Sequence, residues 1–410
     1  METVTAGILV TEATGKAEWT GLVAVAGFLP SVVLGPLGGA LADRFPRKLL
    51  LLVSNALQMV LAAMLAVVAA TGPSNPLTIA LILFASGCAS SVSLPAFQTM
   101  LPDLVPQEDL LGAIALSSAQ WNLGRVIGPA MAGVVIAAGG YKWAFICNSL
   151  SFLAVIGAVL ALTLPRPAKK LRRHLLAEIA DGARFAARDT GVRSAITTIA
   201  LCSLLAGPFI ALVPVMAIKV LHAGSRGAAT LVTGQGIGAV SVAFFVLGPL
   251  AHRIGRHRVL IATLFLLPPA LICYALSPGL WVAFPAIMVL GGLYLSLLSG
   301  LTTVVQLRVP QAIRGRVLSL HMATLSLLFP IGSVVQGTVA DQVGLRVTTV
   351  SAALLLAAVL LVSTAVRPMY LRSLRAEPSE VDPASQVTPL RHGPAAPLRP
   401  TVPGSGTGDG

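Results

Sequence analysis

Apolar residues gather in runs of about 20 along this chain, the length a helix needs to cross a hydrocarbon core of about 30 Å. Segments that span lipid must satisfy their own backbone groups, so these runs are helices. The pattern predicts eleven full spans, at roughly 19–41, 49–70, 77–100, 110–138, 143–164, 193–219, 228–250, 259–276, 280–306, 317–341 and 347–366. Ahead of them, the apolar stretch Val4 to Val10 would rise only about 10 Å as a helix. It lacks the basic start and long apolar core of a signal peptide. It reads as the end of a first span whose beginning is absent.

Composition sharpens this into an all-α polytopic membrane protein. Of 410 residues, 56% are hydrophobic and 10% charged, with a mean hydropathy of +0.87. A soluble domain carries about a quarter charged residues. The net charge of +13 would suggest nucleic acid until the charges are placed. Of the 28 Lys and Arg, 22 fall in one alternating set of connections and the C-terminal stretch. The opposite connections hold only Lys16, Lys142, Arg226 and Arg346. Such asymmetry follows the positive-inside rule, so the basic loops and C-terminus are expected in the cytoplasm. Trp19, Trp143 and Trp281 begin spans on the other side, as interfacial anchors do. The partner is the lipid bilayer, not nucleic acid. Cys88, Cys147, Cys202 and Cys273 stand alone in separate spans and form no metal or redox motif.

The longest connection, 165–192, carries an apolar stripe (Leu171, Leu175, Ile179, Phe185) among basic residues. Either a short helix on the membrane surface or a plain basic linker fits it. It divides an N-terminal bundle (1–164) from a C-terminal one (193–366), with a disordered tail from 367 to 410. The two halves repeat. Gly39-x-x-x-Asp43-Arg44-x-Pro46-Arg47 matches Gly248-x-x-x-His252-Arg253-x-Gly255-Arg256 at an offset of 209. At an offset of 204, Val105-Pro106-Gln107 matches Val309-Pro310-Gln311, and Gly128, Gly133 and Gly140 pair with Gly332, Gly337 and Gly344. Parallel repeats are a transporter architecture, with the substrate site between the halves near the midplane.

These residues carry a resemblance. The stretch "GGALADRFPRK", residues 38–48, resembles the loop signature of the major facilitator superfamily, with Pro46 replacing a glycine. "LPAFQTMLPDLVPQEDLLGAIALSSAQWNLGRVIGPAMAG" resembles the superfamily branch of macrolide-efflux and enterobactin-exporter-like proteins. The resemblance implies two pseudo-symmetric six-helix bundles. It also implies that Asp43 docks on a helix of the other half in one transport state, with Arg44 as its ionic neighbour. His252 supplies no fixed acid for such a lock in the second half. Arg47, Lys48, Gly248, Arg253 and Arg256 complete the loop set, which could equally be a topology signal alone.

Gly124-x-x-x-Gly128-Pro129-x-x-Ala132-Gly133 resembles the superfamily's antiporter motif, which accompanies export; helix packing also accounts for it. Arg125 lies about 15 residues beyond Asp109, near mid-membrane, where a charge must face a cavity, a partner or carbonyls. Asn122 shares its helix face. All fifteen acidic residues fall at loops, span ends or the tail. His321 is then the other titratable candidate for ion coupling, or a structural histidine. Gln98, Tyr294 and Gln336 suit either a substrate cavity or hydrogen bonds between helices.

No nucleotide-binding loop, paired carboxylates or metal cluster appears, so no enzyme activity and no cofactor are expected. The sequence predicts a monomeric secondary exporter of small hydrophobic or amphipathic molecules, such as drugs or siderophores. It would work by alternating access in the inner membrane, with the proton as the coupling ion the resemblance implies. A metabolite importer or uniporter is the alternative. So is a non-transporting membrane partner or relic, because the first span is incomplete.

Overall fold

The computed structural model describes residues 1–72, 75–100, 104–106, 109–162, 175–241, 245, 248–310, 313–366 and 369–375. In chain order the helices are α1 (Glu2–Thr14), α2 (Ala17–Arg44), α3 (Arg47–Ala70), α4 (Pro76–Met100), α5 (Leu110–Gly139) and α6 (Tyr141–Ala161). Then follow α7 (Leu175–Arg188), α8 (Thr190–Leu205), α9 (Phe209–Val215) with a π-helical turn (Met216–Val220), α10 (Gly224–Ser241) and α11 (Gly248–Ile254). The last are α12 (Arg256–Ala275), α13 (Leu280–Arg308), α14 (Arg314–Val343), α15 (Leu345–Val366) and α16 (Met369–Ser373). Among the described residues, nine helical segments are long and apolar enough to cross a membrane. The other two predicted spans, 110–138 and 228–250, fall on α5 and on α10 running toward α11.

Helices α1–α6 and α8–α15 form the two bundles, joined along two seams where α2 packs on α14 and α5 on α10. Leucine, valine and tryptophan side chains stay exposed around the outside; Trp281 is 93% exposed. In lipid this costs nothing, because the solvent is as apolar as the side chain. Residues 45–46, 255, 309–310 and 313 lie at one end of the bundles, here termed the basic face; Gly15–Lys16, Gly140 and Gly344 lie at the far face.

The repeat survives in three dimensions. Gly140 and Gly344 end α5 and α14 with φ of 83° and 90°, a left-handed-side conformation that glycine tolerates. Gly128 faces the Met1 backbone nitrogen at 3.5 Å from an ideal Cβ, and Gly332 faces the Leu204 carbonyl at 2.5 Å. Each thus packs its helix on the opening helix of its own half. The 2–3 turn and its counterpart differ. Gly255 precedes α12 with φ 90°, whereas Pro46 precedes α3 with φ −57°, because its ring fixes that angle.

The span predicted as continuous at 193–219 is broken. Pro208 has no N–H to donate to Leu204, and the Phe209 N–H turns to the Ala206 carbonyl instead of Leu205. The two freed carbonyls accept from Gln336 Nε2 at 3.0 and 2.9 Å. Two further expectations change at the basic face. The linker helix α7 packs on α14 and α8, burying Phe185 in the protein core. Residues 369–375, assigned by composition to a disordered tail, instead carry α16, whose neighbour Leu374 is fully buried. Its few apolar residues are too short a run to register in sequence.

Candidate substrate cavity and its two faces

A cavity of about 680 Å³ lies between the bundles. The first half contributes Thr3, Gly7, Thr20, Phe28, Gln120 and Gly124; the second contributes Pro214, Gln235, Tyr294, Ser326 and Phe329. Its surface is mostly apolar with scattered amides and hydroxyls, and none of the described lining side chains is charged. That is the character of a pocket for a drug-sized ligand. Phe28 and Phe329 meet edge to face across the halves with centroids 5.6 Å apart. Phe209 supports Tyr294 in the same geometry at 5.7 Å. The break at Gly207 lets this wall form: a Cβ there would lie 2.9 Å from the Tyr294 hydroxyl and 3.0 Å from the Phe329 ring.

The far face is closed. An ideal Cβ on Gly21 would stand 2.5 Å from the Ser333 carbonyl oxygen, and one on Gly337 2.7 Å from that of Ala17. On the other seam a Cβ on Gly133 would lie 3.1 Å from the Ala229 Cβ and 3.2 Å from the Thr233 hydroxyl. Toward the basic face, Gly35, Gly112 and Gly124 have no neighbouring atom within 4 Å of such a Cβ. The halves therefore touch at one end of the seams and part at the other.

Polar contacts at the basic face hold each half to itself. Asp189 caps α8 through the Val192 N–H at 2.8 Å and accepts from Arg308 at 2.9 and 3.1 Å. Arg316 pairs with Asp181 of α7 at 3.2 Å. Tyr370 and Ser373 of α16 bond Thr198 and Ser194 of α8. In the first half, Lys48 Nζ donates to the Leu160 and Leu162 carbonyls at 2.8 and 2.7 Å, capping α6.

The residues singled out in sequence fall into distinct places. Tyr294 and Gly124 line the cavity. Gly128 packs within its half and Gly133 across the halves, so the motif grades from cavity wall to seam. Gln336 serves the broken span, and Gln98 is exposed near the basic end of α4. His321 is fully buried inside the second bundle, 3.3 Å from the Thr302 hydroxyl, and lies off the cavity. Arg44, Arg253 and Arg256 are exposed at the basic face. The side chains of Asp43, Asn122, Arg125, Pro129 and His252 lie outside the described residues, as does the local structure before Gly248.

Two features escaped the sequence. Gln120 faces the cavity opposite Gln235 of the other half, and nothing in the spacing around it marked it as a candidate. Glu2 also differs from its expected place at a span end. It sits in α1 about 18 Å from the far-face end of that helix, at 1.5 Å per residue. There its carboxylate is buried and accepts from Asn148 of α6 at 3.3 Å. Reading α1 as a mere chain end hid this acid.

A two-bundle helical array around a central cavity, closed at one end, defines a major facilitator fold. A mutant of the nucleoside transporter NupG shares it, with a TM-score of 0.69 and 16% identity over 88% of this chain and 94% of that one. The chain itself belongs to the transmembrane secretion effector family, whose model matches residues 1–393. It is 24% identical over 350 residues to macrolide efflux protein A of Streptococcus pyogenes, covering 82% of this chain and 84% of that protein. It is 26% identical over 312 residues to the enterobactin exporter EntS of Citrobacter koseri, covering 76% and 71%.

Proposed function

We propose that this chain is a secondary exporter of small hydrophobic or amphipathic molecules, working by alternating access in the cell membrane. The carrying observation is the largely apolar 680 Å³ cavity built by both halves and closed at one face. The family, together with relatives named for macrolide and enterobactin export, supports the outward direction. Lys and Arg placement supports basic loops and the C-terminus in the cytoplasm. In that orientation, the described state presents its parted end to the cell interior. One chain supplies both walls of the cavity, which favours a monomer as the working unit.

Proton antiport is the coupling this reading favours, and Glu2 is the carboxylate placed to serve it. Its side-chain hydrogen-bond partners, Asn148 and Ser86, are neutral, and the amino terminus of Met1 is the charge beside it; a carboxylate at this depth is costly unless protonated or paired. The test uses sealed everted vesicles containing the full chain, energised to be acid inside, with a macrolide as probe. Accumulation above that of control vesicles is expected, collapsing when a protonophore is added. Glu2→Gln should bind the probe but lose gradient-driven accumulation. Accumulation in right-side-out vesicles instead would make the chain an importer. Failure with both a macrolide and a catecholate siderophore would support the non-transporting reading.

A further inference from the structure

The far-face closure contains a bond that crosses between the halves and is not part of either bundle's own packing. Helix α2 begins at Ala17 after Lys16, which has extended backbone and provides no side-chain cap. The first N–H groups of a helix have no partner within it and carry the positive end of the helix dipole. Here those of Ala17 and Glu18 donate to Asp341 Oδ1 and Oδ2, each at 2.9 Å. Asp341 belongs to α14, 324 and 323 residues away in the chain. By contrast, α8 is capped from its own sequence by Asp189. Helix α2 borrows its cap from the opposite half.

We infer that Asp341 is a gate residue: it latches the far face shut by capping α2, and it must release for the cavity to open there. The surrounding contacts fit a latch. Gly337, one helical turn before Asp341, lets α14 approach the Ala17 carbonyl, and Gly21 receives Ser333 one turn further along α2. Both carboxylate oxygens are engaged, and each bond joins a charged acceptor to a backbone donor, the stronger class of hydrogen bond. Rocking the halves apart at this face breaks both bonds together. Lys219, at 3.8 Å and on the same half as Asp341, stays with the carboxylate when the halves part. The latch therefore favours the described state over one open at the far face.

The repeat shows that this device is not simply inherited from duplication. At the offset of 204, the partner of Asp341 on α5 is Ala137, so α5 carries no aspartate at the matching place, and Gly133 packs there against Ala229 and Thr233 of α10. Along the antiparallel α2–α14 pair, however, Asp43 occupies the matching place near the end of α2. Each helix of this seam thus carries an aspartate near its last turn. The pair would hold opposite ends of the same seam in opposite states.

The inference rests on alternating access but not on export, so it is tested by accessibility rather than transport. Ser326 of the cavity is changed to cysteine in the full chain. A membrane-impermeant thiol reagent is then applied to the far face in sealed vesicles of known orientation, against the same chain with Ser326 intact. Asp341→Ala should raise far-face labelling about ten-fold, within the usual range of coupling between two global states. Asp341→Asn, which retains one acceptor oxygen, should give a smaller rise and guards against misfolding of the alanine variant. Lys219→Ala should label as the parent does. Unchanged labelling in both Asp341 variants overturns the latch. Equal acceleration by Lys219→Ala overturns the capping mechanism. Either result leaves the export reading to its own vesicle assay.

Discussion

At the far face, polar bonds and close glycine contacts cross between the halves; at the basic face, those among the described residues stay within one half. Asp341 reaches the first turn of α2 across the seam, whereas Arg308 reaches Asp189 inside its own bundle. The difference separates two jobs that ion pairs and hydrogen bonds do in a rocking protein. Bonds within a half make it a rigid body. Bonds between halves decide which end of the cavity is shut.

That contrast is open to attack in order of expected effect. Arg308→Ala should be the most damaging to stability, because Asp189 is 2% exposed and Arg308 12%. Removing one partner of so buried a pair costs about 3–5 kcal/mol. The loss should appear as a lower unfolding midpoint in detergent, with the surviving folded protein keeping its far-face closure. A variant of normal stability but altered accessibility would reverse the assignment of roles.

Gly21→Val should do the opposite. Its new side chain meets the Ser333 carbonyl, which lies 2.5 Å from the Cβ position; overpacking of this kind costs about 1–3 kcal/mol. Because that contact exists only when the far face is shut, the cost should appear as a shift toward far-face opening, read by spin-label distances across α2 and α14. An unchanged distance distribution would remove Gly21 from the seam's closing contacts.

Gly35→Ala should have the smallest effect on the described state. Nothing lies within 4 Å of its Cβ position, so the gain is about 1 kcal/mol of helix propensity at most. The unfolding midpoint should stay level or rise slightly. If basic-face closure brings Gly35 against a neighbour, the same variant should slow turnover without weakening the fold. A clear loss of stability would show that the open end is packed more tightly than the structure describes.

Much of the fold was readable because its physical signals are local. Run length marks spans, basic residues mark sides, and a duplicated charged turn marks the halves. The antiporter-like glycines were also legible as a group. Their graded placement, Gly124 on the cavity and Gly133 on the seam, depends on a helix tilt that spacing leaves open. Gln336 illustrates a different limit. A glutamine in an apolar helix suits a cavity or a structural bond equally, until Pro208 breaks a span beside it and frees two carbonyls. His321 was a coupling candidate by chemistry alone, and its burial off the cavity came from helix rotation.

Sequence by itself determined that this is a helical membrane protein of two repeated halves. It also carried the family resemblance and most of the topology, because hydrophobic run length and charge asymmetry act residue by residue. Tertiary structure decided where the halves meet, that Glu2 lies buried against Asn148, and that the cap of α2 comes from Asp341. Those outcomes depend on contacts between residues about a hundred positions apart or more. Such contacts are fixed only when the bundles pack, and no local pattern in the chain encodes them.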